Sequence, residues 1–355
     1  MLNLNHNKLG KILRENFVGL VNLGTLSISD NELDTINSDA FSSCLNLQTL
    51  DLSGNKLHNL GSNTFRGVKS SLRELKLARN LLGSIPNRQL QNFEHLTILD
   101  LSENQIKFVK NNDLEGISPG LMELRLSGCG LYSVGDRGFY GAASLKTLDL
   151  SNNGLNEAPN TAFKYLPLLE TLHIGRNSMG SIRRSDFQFL GKMKHFSMDG
   201  CSTNSFSLEA GAFDHNTNLE SISIRCPSLE HISDEASLRH LPVLRNLSFH
   251  GSSLATLPRS LANFEDLHFL DLGSNPLLCD CSLEFLYKLL TQPSPVEVRL
   301  ISCFKILRLN TNNNVYRSEA TVINLTSCRT DNLSRFTRVT TGVMPSQLTG
   351  METSA

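Results

Sequence analysis

Three side chains of the types that form a hydrolytic triad are evenly spaced along this sequence. Asp149, His173 and Ser197 are each 24 residues apart, and an acid, an imidazole and a hydroxyl are the groups that activate a serine nucleophile. However, no G-x-S-x-G turn surrounds Ser197, and no glycine-rich loop follows it to supply an oxyanion hole. We therefore predict that the chain is not an enzyme, with a hydrolase that uses these three residues as a remote alternative.

Other reactive motifs are missing from the sequence. It has no P-loop, no dinucleotide-binding glycine motif and no C-x-x-C pair typical of zinc sites, so we predict neither a cofactor nor a metal. Lys and Arg number 33 against 34 Asp and Glu, a net charge of −1, which argues against binding nucleic acid through bulk charge. No apolar run reaches the ~18 residues that span a bilayer, and no charged-then-apolar leader opens the chain. We expect no direct membrane insertion by this chain.

A repeat of about two dozen residues organises most of the chain. The motif L-x-x-L-x-L-x-x-N-x-L recurs, and its first apolar residues are 23 to 26 positions apart. Its L-x-L centre has the period of two that is typical of a short strand with one buried face. One such strand cannot bury that face alone, so successive turns must stack into a parallel ladder with a shared core. The first apolar residues are Leu23, Leu47, Leu72, Leu96, Leu121, Leu145, Leu169, Met193, Leu219, Leu244 and Leu267.

The repeat resembles that of the leucine-rich-repeat family, in its extracellular length class. The resemblance implies an α/β fold, a solenoid whose strands form a curved parallel β-sheet horseshoe. It also implies that an Asn eight residues after the first Leu joins a stack that satisfies backbone groups of neighbouring turns. A Phe or Leu ten residues further on is predicted to form a second apolar spine, on the convex side. The Asn positions are Asn31, Asn55, Asn80, Asn104, Asn153, Asn177 and Asn275, and the spine positions are Phe17, Phe41, Phe65, Leu90, Leu114, Phe139, Phe163 and Phe187.

The segment after the last repeat is similar to the cysteine-rich C-terminal flanking domain of extracellular leucine-rich-repeat proteins. The pattern N-P-x-x-C-x-C directly follows a repeat, and an apolar segment with helical spacing comes next. The resemblance implies the disulfides Cys279–Cys303 and Cys281–Cys328, whereas spacing alone leaves three connectivities of these four cysteines open. We therefore predict a disulfide-bonded cap and an oxidising compartment.

The other four cysteines are predicted to be unpaired structural residues. Cys129 and Cys201 stand at the Asn position of their repeats, Cys226 precedes that position, and Cys44 is on the convex side. A small, weakly donating thiol is tolerated at such buried sites.

Three N-x-S/T sequons favour passage through the secretory pathway. They begin at Asn246, Asn324 and Asn332, and they agree with the predicted disulfide cap. We therefore expect an extracellular protein, either secreted or displayed at the cell surface.

The repeats and the cap divide the chain into three predicted parts. Residues 1–276 form the solenoid, of about 12 turns, and residues 277–329 form the cap. Residues 330–355, rich in Thr and Ser, are expected to be a disordered tail or a truncated stalk. The first residues fit the repeat from its middle, so we expect the solenoid to be truncated at its N-terminus.

Polar side chains between the strand leucines predict a recognition face. Charges alternate at the central position from Asp51 to Asp149, and such groups lie about 5 Å apart on adjacent strands. They could bind a protein partner, or they could form a self-neutralising ladder that keeps the sheet soluble, with each pair worth ~0–1 kcal/mol. The predicted partner-binding residues are Asp51, Glu74, Lys76, Arg79, Asp100, Glu123, Arg125, Asp149, His173 and Arg176.

The family resemblance implies a recognition module with an adhesion, receptor or matrix role. The partner would be a protein ligand or receptor, and the sequence does not identify it. A structural matrix protein that assembles with itself is the alternative hypothesis.

Overall fold

The computed structural model describes residues 1–232, 238, 241–258, 267–278 and 297–299. Within them the predicted solenoid is confirmed: the X-Leu-X triplets form one sheet of thirteen parallel strands, in the order β1-β3-β5-β6-β7-β9-β11-β12-β14-β16-β17-β18-β19. The strands of this sheet are β1 Leu2–Asn3, β3 Thr25–Ser27, β5 Thr49–Asp51, β6 Glu74–Lys76, β7 Ile98–Asp100, β9 Glu123–Arg125, β11 Thr147–Asp149, β12 Thr171–His173, β14 His195–Asp199, β16 Ser221–Arg225, β17 Asn246–Ser248, β18 Phe269–Asp271 and β19 Glu297–Arg299.

Short elements complete the turns on the other side of the core. Three two-stranded parallel sheets pair β2 with β4, β8 with β10 and β13 with β15, and the helices are single turns, two of them preceded by proline. These elements are β2 Lys11–Ile12, β4 Thr35–Ile36, β8 Phe108–Val109, β10 Ser133–Val134, β13 Ser181–Ile182, β15 Ser207–Leu208, the 3-10 helix Arg14–Phe17, α1 Asn87–Leu90 and α2 Asn160–Phe163.

The core runs through the coil as rows of buried side chains. The central apolar residue of each sheet strand from β3 to β18 is buried and lies in register with its neighbours, as Leu148 does between Leu124 and Leu172. The predicted convex spine is also buried along its whole length. Phenylalanine rings on this side of the core form two runs, Phe17-Phe41-Phe65-Phe93 and Phe139-Phe163-Phe187-Phe213, with neighbouring ring centroids 5.8–6.5 Å apart. The rings are stacked in most pairs and tilted in Phe65–Phe93 and Phe163–Phe187.

The asparagine stack is confirmed, and Asn177 illustrates its chemistry. The fully buried amide of Asn177 donates to the carbonyls of Leu150 in the preceding turn and Ile174 in its own turn, at 3.0 and 2.8 Å. Its Oδ1 accepts the N–H of Leu155 at 3.0 Å. Each Asn therefore satisfies backbone groups of two turns that would otherwise be buried without partners.

A disulfide replaces this stack where the repeat degrades, so the prediction that Cys201 and Cys226 are unpaired is wrong. Their Cα atoms lie 5.1 Å apart and their sulfurs are bonded. The ladder positions here hold Cys201 and Pro227 instead of asparagine, and β14 and β16 are extended to five residues each. The longer strands end beside the two cysteines, and the disulfide joins neighbouring turns where two asparagine side chains are absent.

The other two described cysteines are unpaired and buried, as predicted. Cys44 packs in the core, and the Cys129 Sγ donates to the carbonyl of Leu101 at 3.3 Å, as a ladder amide would. Burial raises the pKa of the Cys129 thiol to about 11.

The sheet continues into the segment predicted as the cap, because β19 pairs in parallel with β18. The four predicted cap cysteines, Cys279, Cys281, Cys303 and Cys328, lie outside the described residues, as do the sequons at Asn324 and Asn332.

Candidate recognition face

The strands place the predicted site residues in rows on one surface. In each X-Leu-X triplet the leucine points into the core, and the two flanking side chains lie on the opposite side of the sheet, which we call the concave face. Its central row, in strict register, is Asp51, Lys76, Asp100, Arg125, Asp149, His173 and Ser197. Glu74 and Glu123 begin their strands, and Arg79 and Arg176 follow theirs at left-handed positions with φ of 53° and 52°.

The aspartates of the central row are held by their own strands. Oδ1 of Asp51, Asp100 and Asp149 accepts the N–H of the residue two positions on, at 2.9 Å in each case. Asn3 makes the same contact with the N–H of Asn5 at 2.9 Å, so a neutral amide can replace the carboxylate in this structural role. Oδ1 of each carboxylate is thus held by the backbone, whereas Oδ2 takes no part in this hydrogen bond.

Most cations of the N-terminal half of this face already have carboxylate partners. Lys76 pairs with Glu74 of its own strand at 3.0 Å, and Arg125 pairs with Glu123 of its own strand and with Asp100 at 3.6 Å. The predicted cross-strand ladder is therefore present only at Asp100 and Arg125 in the central row.

Arg79 reaches across a whole turn to its partner. Its Nη1 lies 2.8 Å from Oδ1 of Asp30, which belongs to the repeat two turns earlier. This hydrogen bond lowers the pKa of Asp30. The repeat pattern indicated Arg79 but not Asp30. The two side chains meet across the intervening turn, in space that is open because residue 54 is glycine.

An alternating charge row lies beside the concave face, at the residue before each strand triplet begins. Glu170 stands between Lys146 and Lys194, at 3.8 and 2.9 Å. The hydrogen bond between Lys194 and Glu170 lowers the pKa of the carboxyl and raises that of the ammonium group. Charges are thus neutralised at this edge as well as around Lys76 and Arg125 in the central row.

A hollow of about 440 Å³ opens where β11, β12 and β14 end. Gly175 lines it, and a Cβ there would collide with the backbone of Asp199 at the end of the extended strand β14. Earlier turns have Ser102, Ser127 and Ser151 at this position, so the change to glycine is a sequence signal for the close approach of β14. The lining residues of the hollow are Ser127, Asp149, Ser151, Asn152, His173, Gly175, Arg176, Ser197 and Asp199.

The charged side chains that line the hollow form no ion pairs with other described residues. Among the described residues, neither His173 nor Arg176 has a hydrogen bond or an ion pair from its side chain, and no cation lies within 4.0 Å of Asp149 or Asp199. The Asp149 carboxylate is fixed by Ser151, and Oδ1 of Asp199 accepts the Ser223 hydroxyl at 3.1 Å. The hollow therefore presents two fixed carboxylates, and an arginine that is unpaired within this part of the chain, to a ligand.

The possible triad is adjacent in space but not assembled. Asp149, His173 and Ser197 occupy neighbouring strands in register. Oδ1 of Asp149 instead accepts both the N–H and the hydroxyl of Ser151, at 2.9 and 2.6 Å, and within the described part of the chain no hydrogen bond joins Asp149 to His173 or His173 to Ser197. These three residues contribute polar surface to the hollow.

In the described part of the chain, no group of three or more His, Cys, Asp or Glu side chains could hold a metal ion. None of the helices in this part of the chain is long and apolar enough to cross a bilayer.

Comparison with known proteins supports the assignment of the repeats. The family model described as "Leucine rich repeat" matches residues 1–57, 70–118 and 143–202. No curated protein matches the sequence significantly.

Three solved structures share this fold. The crystal structure of the TLR13–ssRNA13 complex superposes with a TM-score of 0.66 at 22% identity, over 83% of this chain and 50% of that one. The Toll–Spatzle complex of Drosophila gives 0.56 at 20% identity, over 85% and 49%. An octameric complex of Latrophilin 3, Unc5D and FLRT2, in which FLRT2 supplies the leucine-rich repeats, gives 0.56 at 26% identity, over 72% and 84%. The chain thus spans about half the length of the TLR13 and Toll chains.

The in-register repeats, the asparagine stack, the family match and these structural likenesses lead to one assignment: the chain is a leucine-rich-repeat protein.

Proposed function

We propose that this protein is an extracellular recognition module that binds a protein partner on its concave face, with the hollow as the centre of contact. The observation that carries the proposal is the distribution of unpaired charge. Lys76, Arg79 and Arg125 are engaged by carboxylates of the same chain, whereas no carboxylate in the described part of the chain engages His173 or Arg176. A cation without an internal ion pair gives up no such pair on binding a ligand, and the carboxylates of Asp149 and Asp199 beside it are already oriented.

The structural likenesses support a protein ligand. Toll is seen in complex with Spatzle, and FLRT2 with Latrophilin 3 and Unc5D. The TLR13 structure contains single-stranded RNA, but a net charge of −1 disfavours that ligand for this chain. The disulfide Cys201–Cys226 supports an oxidising compartment, and an adhesion, receptor or matrix role follows only from the family resemblance.

A binding screen with matched variants tests the proposal. The purified chain would be screened against an array of extracellular domains, and each hit measured with Arg176→Glu and with Asp149→Asn. Residues at a contact centre typically cost about 2 kcal/mol when altered, so we expect binding to weaken roughly 30-fold. Asp51→Asn is the matched control, because it makes the same change at the same strand position outside the hollow and keeps the turn contact that Asn3 makes.

The Lys76→Glu/Arg125→Glu double variant shows how far the contact extends along the face. We expect a smaller effect than at the hollow, because both cations have partners within the chain. Unchanged affinity of both hollow variants, with native thermal unfolding, would refute this site. Concentration-dependent self-association in light scattering, with no hit in the array, would favour the matrix alternative.

A further inference from the structure

The sequon at Asn246 lies on the concave face itself. Asn246 begins β17 and its side chain is exposed, and its register partners are Ser221 on one side and Phe269 on the other. It therefore occupies the row that Thr147 and Thr171 occupy beside the hollow. Sequons are usually expected on surface loops, so this location is informative.

The surroundings of Asn246 leave room for a sugar. The neighbouring strand β16 presents two small side chains, Ser221 and Ser223, to the same face, and Ser248 completes the sequon on β17 itself. The central row changes here from charged residues to Ser197, Ser223 and Ser248. The side-chain amide of Asn246 has no hydrogen-bond partner among the described residues, so no contact must be broken for it to react.

We propose that Asn246 carries an N-linked glycan that divides the concave face into a shielded C-terminal part and an open part that contains the hollow. In the transfer, Nδ2 of Asn246 loses a proton and bonds to the anomeric carbon of the sugar. That carbon's bond to the diphosphate of a lipid-linked oligosaccharide donor breaks, and the lipid diphosphate leaves. A glycan is bulky and hydrophilic, so it excludes macromolecules from the strands beside it.

The position of the glycan relative to the hollow sets its effect on binding. His173 lies three strands from β17, about 14 Å at the usual strand spacing of ~4.8 Å. The glycan would thus stand beside the hollow and restrict the directions from which a partner can approach. This part of the inference rests on the proposed function, whereas the occupancy of Asn246 does not.

Glycopeptide mapping of the full chain, secreted from mammalian cells behind an added leader, tests occupancy. We expect a glycan on the peptide that contains Asn246, its loss in both Asn246→Gln and Ser248→Ala, and its retention in Ser248→Thr, which preserves the sequon. An unmodified Asn246 in folded, secreted protein overturns the proposal. Mapping by peptide keeps Asn324 and Asn332 separate from this result.

Labelling with a polyethylene-glycol maleimide tests the shielding. A Ser223→Cys variant should react several-fold more slowly in the glycosylated protein than in the same variant combined with Asn246→Gln. An Asp51→Cys variant, far along the same face, should react at one rate in both backgrounds. Equal rates for Ser223→Cys would refute the shield even if the glycan is present. The binding screen separates this inference from the proposed function. If the screen yields no partner while Asn246 is glycosylated and Ser223→Cys is protected, the proposed function is refuted and this inference stands.

Discussion

A single glycine decides whether two distant turns can be joined by an ion pair. Gly54 has a φ of 67°, and a Cβ there would collide with Oδ1 of Asp30 and lie 3.3 Å from Nη1 of Arg79. The pair between Asp30 and Arg79 therefore passes over the space that a side chain at residue 54 would fill. The remote contact depends on a residue that takes no part in it.

Replacing this glycine should remove the ion pair and strain the backbone. We expect Gly54→Ala to lower the free energy of unfolding by about 1–2 kcal/mol, because a left-handed conformation is costly for an L-residue, as measured by urea denaturation. Gly83→Ala is the control, since a Cβ at Gly83 meets no atom within 4 Å. Equal losses in the two variants would contradict the steric argument.

The same variant should change the titration of Asp30. Arg79 holds the pKa of this carboxyl below its ordinary value, so Gly54→Ala should raise it, as followed by NMR. A lowered folded-state pKa gives stability that is present above the unfolded pKa and is lost as the pH falls through the folded value. The ion-pair part of the difference between wild type and variant should therefore vanish in acid, and only the strain should remain.

The described cysteines should differ sharply in reactivity. Burial raises the pKa of both Cys44 and Cys129, so at pH 8 each is a neutral, inaccessible thiol. We expect iodoacetamide to leave both unmodified in the native protein and to label them after unfolding. Cys201 and Cys226 should require reduction as well as unfolding, and their labelling without a reductant, followed by peptide mapping, would contradict the disulfide.

At the scale of the turn, the asparagine stack stabilises the fold by satisfying buried backbone groups. Among the described residues, Asn177→Ala would leave the buried carbonyl of Ile174 and the N–H of Leu155 without partners. Each buried unsatisfied group costs ~1–3 kcal/mol, so we expect a loss of about 3 kcal/mol in the free energy of unfolding. Asn177→Cys is the matched comparison and should cost less, because the thiol of Cys129 bonds a carbonyl at the equivalent position. Equal losses in the two variants would show that the polar contact is unimportant.

The turn is also the scale at which the sequence predicts most. Leucine spacing fixes which residues are in register, and Asn177 and Phe163 occupy the roles that their positions in the repeat imply. Position in the repeat does not predict which ion pairs form, because long, flexible side chains can reach several acidic residues. Lys76 pairs within its own strand, whereas Arg79 pairs with an acid two turns away. Position in the repeat also missed the disulfide, since Cys226 stands one residue short of the ladder position and the extension of β14 and β16 is not encoded in the repeat.

At the scale of the whole molecule, stability is unevenly distributed along the coil. A solenoid turn packs mainly against its neighbours, so weak turns open without the rest. The stretch that contains Cys201, Pro227 and Ser252 lacks ladder asparagines. A disulfide and the Ser252 hydroxyl, which accepts the N–H of Cys226 and donates to the carbonyl of Ile224, take their place. A crosslink that closes a loop of 25 residues contributes about 3 kcal/mol.

Removing this crosslink should loosen one region selectively. We expect Cys201→Ser/Cys226→Ser to accelerate amide hydrogen exchange across residues 193–232 while residues 96–190 keep their protection. Hydrogen exchange with mass spectrometry measures this, and Cys44→Ser is the control for loss of a cysteine outside the crosslink. Uniform acceleration along the chain would mean that the solenoid unfolds as one unit.

The break in the phenylalanine spine at Leu114 has a consequence for how such a molecule can change length. Spine phenylalanines on either side of it contact other spine rings only within their own run, whereas the leucine rows cross it unchanged. Insertion of one whole coil at this seam would leave both runs whole, although it would separate the stacked rings of Phe108 and Tyr132. Recombination between genes could therefore lengthen the molecule here without dividing either run, and the hollow would shift along the arc as an intact unit.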